Sequence, residues 1–396
     1  MATRRVHLPK FNYRTNSVEV PPTYVEFLRR EAVDSDLNMY QRKYQIIEWL
    51  TMNQDREFKT TTIAGAPLLW QKDQACDAEA MGSMGSASVT IRPEKLRAFM
   101  KICPNPETYD SMFSAMIRWQ KSGRQDPALY EAIIQTIIKE DLTMLQQGLL
   151  SVGFLGQLFD YDTIGFDGNA TTAEQRDFKK QANIFEGILK KVKDSPVSTM
   201  FHKDVIGNID AGGLSGVNIS GVAEALFNGA HADLQRLVYR GGMSDGRGGT
   251  VRPVLLVSSN LIGDIWTRAK TVADLQSQNS SVLREITIET GEMGYEYFWR
   301  GVPIVPIDEF CTYDKYLNSD FYFAGLTATR NIQFGTNYDS YDDVEGNRIG
   351  VTYQRIAAND IRNGDAGAIY RDTHALLACD IANAKLWSST FKTAAK

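Results

Sequence analysis

The chain has 396 residues, with hydrophobic residues at 43% and charged residues at 23%. These ordinary globular values exclude a wholly disordered chain, a collagen and a coiled-coil rod, and the length suggests roughly two to three domains. The net charge of −5 argues against a general polyanion binder, so any contact with nucleic acid would come from a local basic patch.

Residues 1–18 carry Arg4, Arg5, Lys10 and Arg14 and no acid; Glu19 is the first carboxylate and Pro21-Pro22 follows. This reads as an extended basic arm. Thr23–Leu50 has the spacing of two helical pieces, with Tyr24, Phe27 and Leu28 in one and Tyr40, Tyr44, Ile47 and Leu50 in the other. Arg56–Glu94 changes character. It is rich in Thr, Ser, Ala and Gly, lacks a helical period, and holds strand-like pieces at Lys59–Ile63 and Ser88–Ile91. The pattern predicts a long two-stranded excursion. Such a ribbon buries no core of its own and must lie on something else.

Tyr109–Lys121 then predicts a helix, with Gly123 as its stop. Asp126-Pro127 marks an N-cap and first helical position. The Leu129, Ile133, Ile134, Ile137, Ile138, Leu142 and Leu145 stripe makes this the strongest helix of the chain. Leu149–Thr172 reads as loop. Beyond Ala182 the elements mix: a helix over Ile219–Tyr239 despite Gly229, a glycine-rich flexible turn at 241–249, an apolar strand at Val251–Val257, and a helix capped by Asn260 running to Ala269. From Tyr297 the pattern is β: Tyr297–Pro306, Phe321–Ala328, Asn331–Phe334, Arg348–Ile356 and Ala368–Ala378, with Ile349, Val351 and Tyr353 on one face by period two. An acidic loop holds Asp339, Asp342, Asp343 and Glu345. No internal repeat is visible, and the expected class is α+β.

The motifs of chemistry do not complete themselves. Cys76, Cys103, Cys311 and Cys379 form no Cys-x-x-Cys pair, which points to reduced, mostly buried thiols. His7, His202, His231 and His374 have no i, i+3 or i, i+4 partner, and each reads as a surface or satisfied core histidine. Gly241 and Gly246 have the separation of a phosphate-binding loop. However, Arg247 and Gly248 stand where Lys and Ser or Thr are needed, and a strand follows instead of a helix. Gly213-Leu214-Ser215-Gly216-Val217 lacks the last glycine of a nucleophile elbow. A calcium loop starting at Asp160 has Ile164 and Thr171 at ligand positions, and the acidic loop at 339–345 reads as a solvated hairpin tip. The expectation is no catalytic residue, cofactor or metal. No apolar stretch approaches the ~20 residues of a membrane helix and no secretory signal is seen, so no membrane partner is expected.

The order of elements resembles that of tailed-phage major capsid proteins with the Hong Kong 97-type fold, from about residue 24 to 391. The ribbon with Gly65-Ala66-Pro67-Leu68-Leu69-Trp70 sits where that family has its extended E-loop. It returns through Lys95–Ile102 into Pro106–Asp110, and the helix from Asp126 resembles the spine helix. Val254–Trp266 resembles the buried strand and helix of the axial domain, and Gly301-Val302-Pro303-Ile304-Val305-Pro306-Ile307-Asp308 resembles its Gly-x-Pro-Val strand. Phe321–Phe334, Arg348–Ile356 and Gly367–Leu377 resemble the closing strands.

The resemblance implies an arm and leading helices at 1–50 and an E-loop at 51–97. A peripheral domain follows at 98–215 with its spine helix at 126–147, then an axial domain at 216–330 and closing strands at 331–396 that return to the peripheral domain. It implies a non-enzymatic subunit of a virion capsid, assembled in the host cytoplasm from hexameric and pentameric capsomers. The implied partners are packaged double-stranded DNA held by weak non-specific contact, a portal, a scaffolding protein and a decoration protein. No long charged prodomain precedes the arm, which implies a separate scaffolding protein or none. Leu69, Trp70 and Lys72 are the expected subunit contacts, and Arg4, Arg5, Lys10 and Arg14 are expected to face the interior or a neighbour. Some members of the family join an E-loop lysine to a neighbour's asparagine; Lys72 and Asn359 are the residues here, without an identifiable activating group. The alternatives are an encapsulin-type compartment shell and a soluble α+β enzyme or binding module.

Overall fold

The computed structural model describes residues 10–12, 17–19, 41, 43–51, 58–65, 84–102, 144, 147–160, 165–203, 205–206, 219–245, 247, 249–261, 286–291, 294–337, 341–342, 348–355 and 369–395. Its strands in chain order are β1 (Lys10–Asn12), β2 (Ser17–Glu19), β3 (Ile47–Thr51), β4 (Phe58–Gly65), β5 (Met84–Ile91), β6 (Glu94–Ile102), β7 (Met243–Ser244), β8 (Thr250–Val251), β9 (Pro253–Ser258), β10 (Ile286–Gly291), β11 (Gly294–Trp299), β12 (Val302–Ile307), β13 (Ser319–Ala328), β14 (Ile332–Asn337), β15 (Tyr341–Asp342), β16 (Arg348–Arg355), β17 (Ile369–Ile381) and β18 (Trp387–Ala395). Helices cover 147–155, Thr172–Ala182, Ile188–Lys193, Ile219–Gly229 and Ala232–Arg240. The chain is α+β.

Two large sheets organise it. A six-stranded sheet runs β10-β11-β12-β9-β13-β18, with β9 and β12 parallel at its centre. The apolar run Val254–Val257 is buried throughout, as a strand covered on both faces must be. Period two divides its residues. Val254, Leu256, Val305, Ile307, Phe321, Phe323 and Trp387 enter one core, while Leu255, Val257, Val302, Ile304, Tyr322, Ala324 and Leu326 enter another beneath the Ile219–Gly229 and Ala232–Arg240 helices.

The second sheet has eight strands. β1-β2-β16-β17-β14-β3 form its path, with β15 on β16 and β6 on β17. The 147–155 helix packs on one face, where Phe154 meets Phe334 at 5.2 Å and the Cys379 thiol donates to the Gly153 carbonyl. The basic arm therefore enters the sheet through β1 and β2. The predicted ribbon is present as β4 and β5, paired antiparallel from Phe58 opposite Ile91 to Gly65 opposite Met84.

Several expectations are corrected. Ile47–Leu50 is strand, not helix. Gln45 has φ of 51°, the Gln41 side-chain amide bonds both the N–H and the carbonyl of Ile47, and β3 pairs parallel with β14. Leu149–Leu155 is helix, not loop, and the glycines that suggested a loop serve close packing. A Cβ at Gly153 would lie 2.3 Å from the Phe334 ring, and one at Gly156 would lie 2.2 Å from the Phe185 carbonyl oxygen. Thr172–Ala182 is also helical, closed by a capping box between Thr171 and Glu174.

Ile219–Tyr239 is two helices, because His231 caps the second and the His202 ring fills the space beside Gly229. Asn260 is not a cap: it lies inside the helical stretch opening at 259, and its amide goes to Asp314 and the Phe321 carbonyl. Tyr297–Pro306 is the turn and flanks of a hairpin, with Arg300 and Gly301 at positive φ of 48° and 82°. β10 and β18 were not foreseen. The predicted helices at Tyr109–Lys121 and most of 126–147 lie outside the described residues.

The glycine packing is testable. Gly156→Ala drives a methyl group into backbone and is expected to cost about 2 kcal/mol of unfolding free energy. Gly168→Ala, in open space, is expected to change the urea midpoint little.

Candidate assembly interface

The glycine-rich segment 241–249 is an anchored hairpin, not a flexible turn. β7 and β8 pair across it, and the Asp245 carboxylate accepts the backbone N–H groups of Arg247 and Gly249, both at 2.8 Å. This holds Arg247 over Glu48 of β3. The Glu48 carboxylate accepts from Arg247, from Arg330 at 3.0 Å and from Gln333 at 2.8 Å. Arg247 also donates to the Arg330 carbonyl at 3.1 Å, and Arg330 lies 3.8 Å from Asp245. Exposure is 17% for the Glu48 side chain, 14% for Arg247 and 3% for Asp245. Arg330 is itself left-handed, at φ of 59°, and its N–H bonds the carbonyl of left-handed Gln45. Two strained residues and four charges thus lock β3 of the eight-stranded sheet to the separate β7–β8 hairpin and to the β13–β14 turn.

Burial alone would raise the Glu48 carboxyl, but the hydrogen bond from Gln333 and the charges and hydrogen bonds of Arg247 and Arg330 outweigh it and hold it below its ordinary 4.5. Asp245 behaves likewise: burial opposes its charge, and the two backbone N–H groups and both arginines prevail. A second tie lies close in sequence. Lys43 donates to both oxygens of Glu296 in β11, and Tyr44 donates to the same carboxylate; the bond to Glu296 raises Lys43.

The ribbon contrasts with this clamp. Ile91 is buried at its root, packed with Ala378, Leu50 and Val89. Thr61, Ser86, Ser88 and Thr90 are exposed. By sequence the strands carry mostly small and hydroxylated side chains.

Burial pushes the Cys311 and Cys379 thiols up to about 12, far from the thiolate a nucleophile needs. His202 bonds Ser388, and His231 is spent on capping. Among the described residues no group of three or more His, Cys, Asp or Glu side chains could hold a metal ion, and no helix is long and apolar enough to cross a membrane.

Of the residues singled out in the sequence, Arg4, Arg5, Arg14, Leu69, Trp70, Lys72 and Asn359 lie outside the described residues. Lys10 opens β1 opposite Glu19. The clamp was missed. Its one local signal is Asp245 two residues before Arg247 in a glycine-rich turn, the pattern of a side chain that caps its own loop.

No protein-family model matches the chain, and no curated protein matches it either. Solved structures do. One is described as the satellite phage P4 procapsid including size determination (Sid) protein, with TM-score 0.49, 10% identity, and coverage of 94% of this chain and 91% of that one. The capsid of Ralstonia phage GP4 gives TM-score 0.43 and 10% identity, covering 100% and 95%. The holo-SrpI encapsulin complex from Synechococcus elongatus PCC 7942 gives 0.38 and 11%, covering 98% and 91%. The chain is similar to phage capsid proteins. The likeness is distant and is one of fold.

Breaking the clamp is expected to be costly and pH-dependent. The Glu48 pKa is depressed by folding, so its contribution is complete above its ordinary 4.5 and is lost as pH falls through the folded value. Glu48→Gln is expected to lower unfolding free energy at pH 7 by about 3 kcal/mol. The gap between variant and wild type is expected to narrow in urea titrations at acid pH.

Proposed function

We propose that the chain is the major capsid protein of a tailed double-stranded DNA phage, a subunit that assembles through hexamers and pentamers into an icosahedral shell around the genome. The observation that carries this reading is the ribbon. Two eight-residue strands pair in a sheet of their own, and among the described side chains Ile91 at the root is buried while Thr61, Ser86, Ser88 and Thr90 are exposed. A lone two-stranded hairpin is marginal in water, so the ribbon gains its stability on a second molecule. Leu69 and Trp70 at its turn are its anchors there, each able to contribute about 2–3 kcal/mol on burial. A subunit whose extension lies on its neighbour makes a heterologous contact, the kind that closes rings and shells.

On this reading 51–97 is the E-loop. The helix expected at 126–147 is the spine, and the peripheral domain is built on the eight-stranded sheet. The axial domain is built on the six-stranded sheet and its two helices. The subunit is non-enzymatic and belongs to the virion capsid, assembled in the host cytoplasm. A portal, a scaffolding protein and a decoration protein are its expected partners. Contact with DNA is weak, since a strongly basic wall would resist packaging and ejection.

Negative-stain microscopy of the purified chain tests the reading: shells or capsomer rings support it, and small monomers reject it. Nucleic acid inside particles from infected cells supports the capsid; an enclosed enzyme supports an encapsulin-type compartment instead. Deleting 64–90 is expected to leave a soluble subunit that forms no shells.

The arm supplies a further check. Arg4, Arg5, Lys10 and Arg14 are assigned to the interior or to a neighbour's acidic surface. Trypsin is therefore expected to cleave after Arg4 and Arg5 more slowly in sealed particles than in free subunits.

A further inference from the structure

The Glu48 clamp holds an imbalance that its ion pairs do not remove. Three buried polar atoms in it have no hydrogen-bond partner among the described residues: Asp245 Oδ2, Arg247 Nε and Gln333 Oε1. Gln333 is fully buried, and the Asp245 side chain is 97% buried. Native interiors leave few such groups, because each gives up its hydration without return. Here three of them belong to one cluster. The Arg247 guanidinium and the Gln333 amide meet at the same Glu48 oxygen, Oε2. Asp245 Oδ1 is taken by the backbone N–H groups of Arg247 and Gly249. That leaves Oδ2 facing Arg330 Nη1 at 3.8 Å, beyond hydrogen-bond reach. Gly249 lies against both: a Cβ there would stand 2.6 Å from Arg330 Nη1 and 2.7 Å from Asp245 Oδ2.

The chemistry of these atoms selects the ligand. The Asp245 and Gln333 oxygens are acceptors, and the Arg247 N–H is a donor. A metal cation suits the two oxygens but is repelled by two guanidinium groups. An anion suits the guanidinium groups but is repelled by Asp245 and Glu48. The four charges cancel, so neither kind of ion gains from the cluster as a whole. A water molecule donates two hydrogen bonds and accepts up to two, which matches the inventory. We propose that the clamp is a hydration site, in which one internal water donates to Asp245 Oδ2 and Gln333 Oε1 and accepts from Arg247 Nε. Arg330 Nη1 is in place as its second donor, and the Arg330 side chain, 35% exposed, is the side on which the water exchanges with solvent. Internal waters of this kind make about three hydrogen bonds each. This one adds a bridge from the β7–β8 hairpin to β14 beside the bridge through Glu48. The inference does not depend on the shell reading.

The test is a crystal structure of the full-length chain at a resolution that shows ordered water, grown with rubidium bromide in place of sodium chloride. The expected result is a peak about 2.7–3.2 Å from Asp245 Oδ2, Gln333 Oε1 and Arg247 Nε, with no anomalous signal from rubidium or bromide. An anomalous signal at that place overturns the inference, because the site then takes an ion. So does the absence of a peak, or a rearranged clamp whose three atoms bond one another. In solution, water-deuteron relaxation dispersion counts long-lived internal waters. Gly249→Ala sets a methyl group against Asp245 Oδ2 and Arg330 Nη1 and is expected to lose one such water, while Gly168→Ala loses none. An unchanged count in a folded Gly249→Ala overturns the inference, and the crystal decides it whether or not that variant folds.

Discussion

Glu48 sits where the two sheets meet, and the placement of the ribbon depends on what it binds. Taking a carboxylate and two guanidinium groups out of water costs several kcal/mol per ion unless each is well paired. Here the Glu48 carboxylate has three donors, and Asp245 Oδ1 takes two backbone N–H groups while its Oδ2 faces Arg330 at 3.8 Å. The Gln45–Arg330 backbone bond closes the same corner. A corner so heavily determined holds two left-handed non-glycine residues that would otherwise relax. It fixes β3, the strand that precedes β4 in the chain, and Leu50 of β3 packs with Val89 and Ile91 at the ribbon's root, which ties that root to the same corner.

Legibility in the sequence followed the physics of each element. The strands β9, β12, β13, β16 and β17 are β-rich runs bounded by Gly, Pro or Asn, and their apolar residues alone announce them. The ribbon was legible for the opposite reason, a long stretch without either period. β3 was misread because Tyr44, Ile47 and Leu50 are spaced for a helix, while the deciding influence is a strand near residue 332. The 147–155 helix was misread because glycine weakens a helix locally, and its benefit, the approach of Phe334 and Phe185, is visible only in three dimensions. β18 carries Ser388, Ser389 and Thr390, polar residues that look exposed. They are buried, with Ser388 bonded to the Leu226 carbonyl and Ser389 to the Met200 carbonyl. The clamp was the least legible feature, since Arg247 and Glu48 are 199 residues apart and no local pattern pairs them.

The charge distribution completes the mechanical picture. A pair of exposed ions contributes only ~0.2–1 kcal/mol, and a contact made of a few such pairs and one or two apolar anchors is weak in isolation. In the proposed shell every subunit would both give and receive a ribbon, so the contact would recur around each ring and neighbours would bind multivalently. Weak repeated contacts let a misplaced subunit leave before the ring closes, whereas a single strong contact would trap it. The screening length of about 10 Å at 0.1 M salt makes such pairs sensitive to ionic strength, while the buried Glu48 clamp is screened far less. On the proposed shell reading, salt would act on the association of subunits before it acts on their fold: buried charge fixes the corner around Glu48, and exposed charge would set the reversibility of assembly.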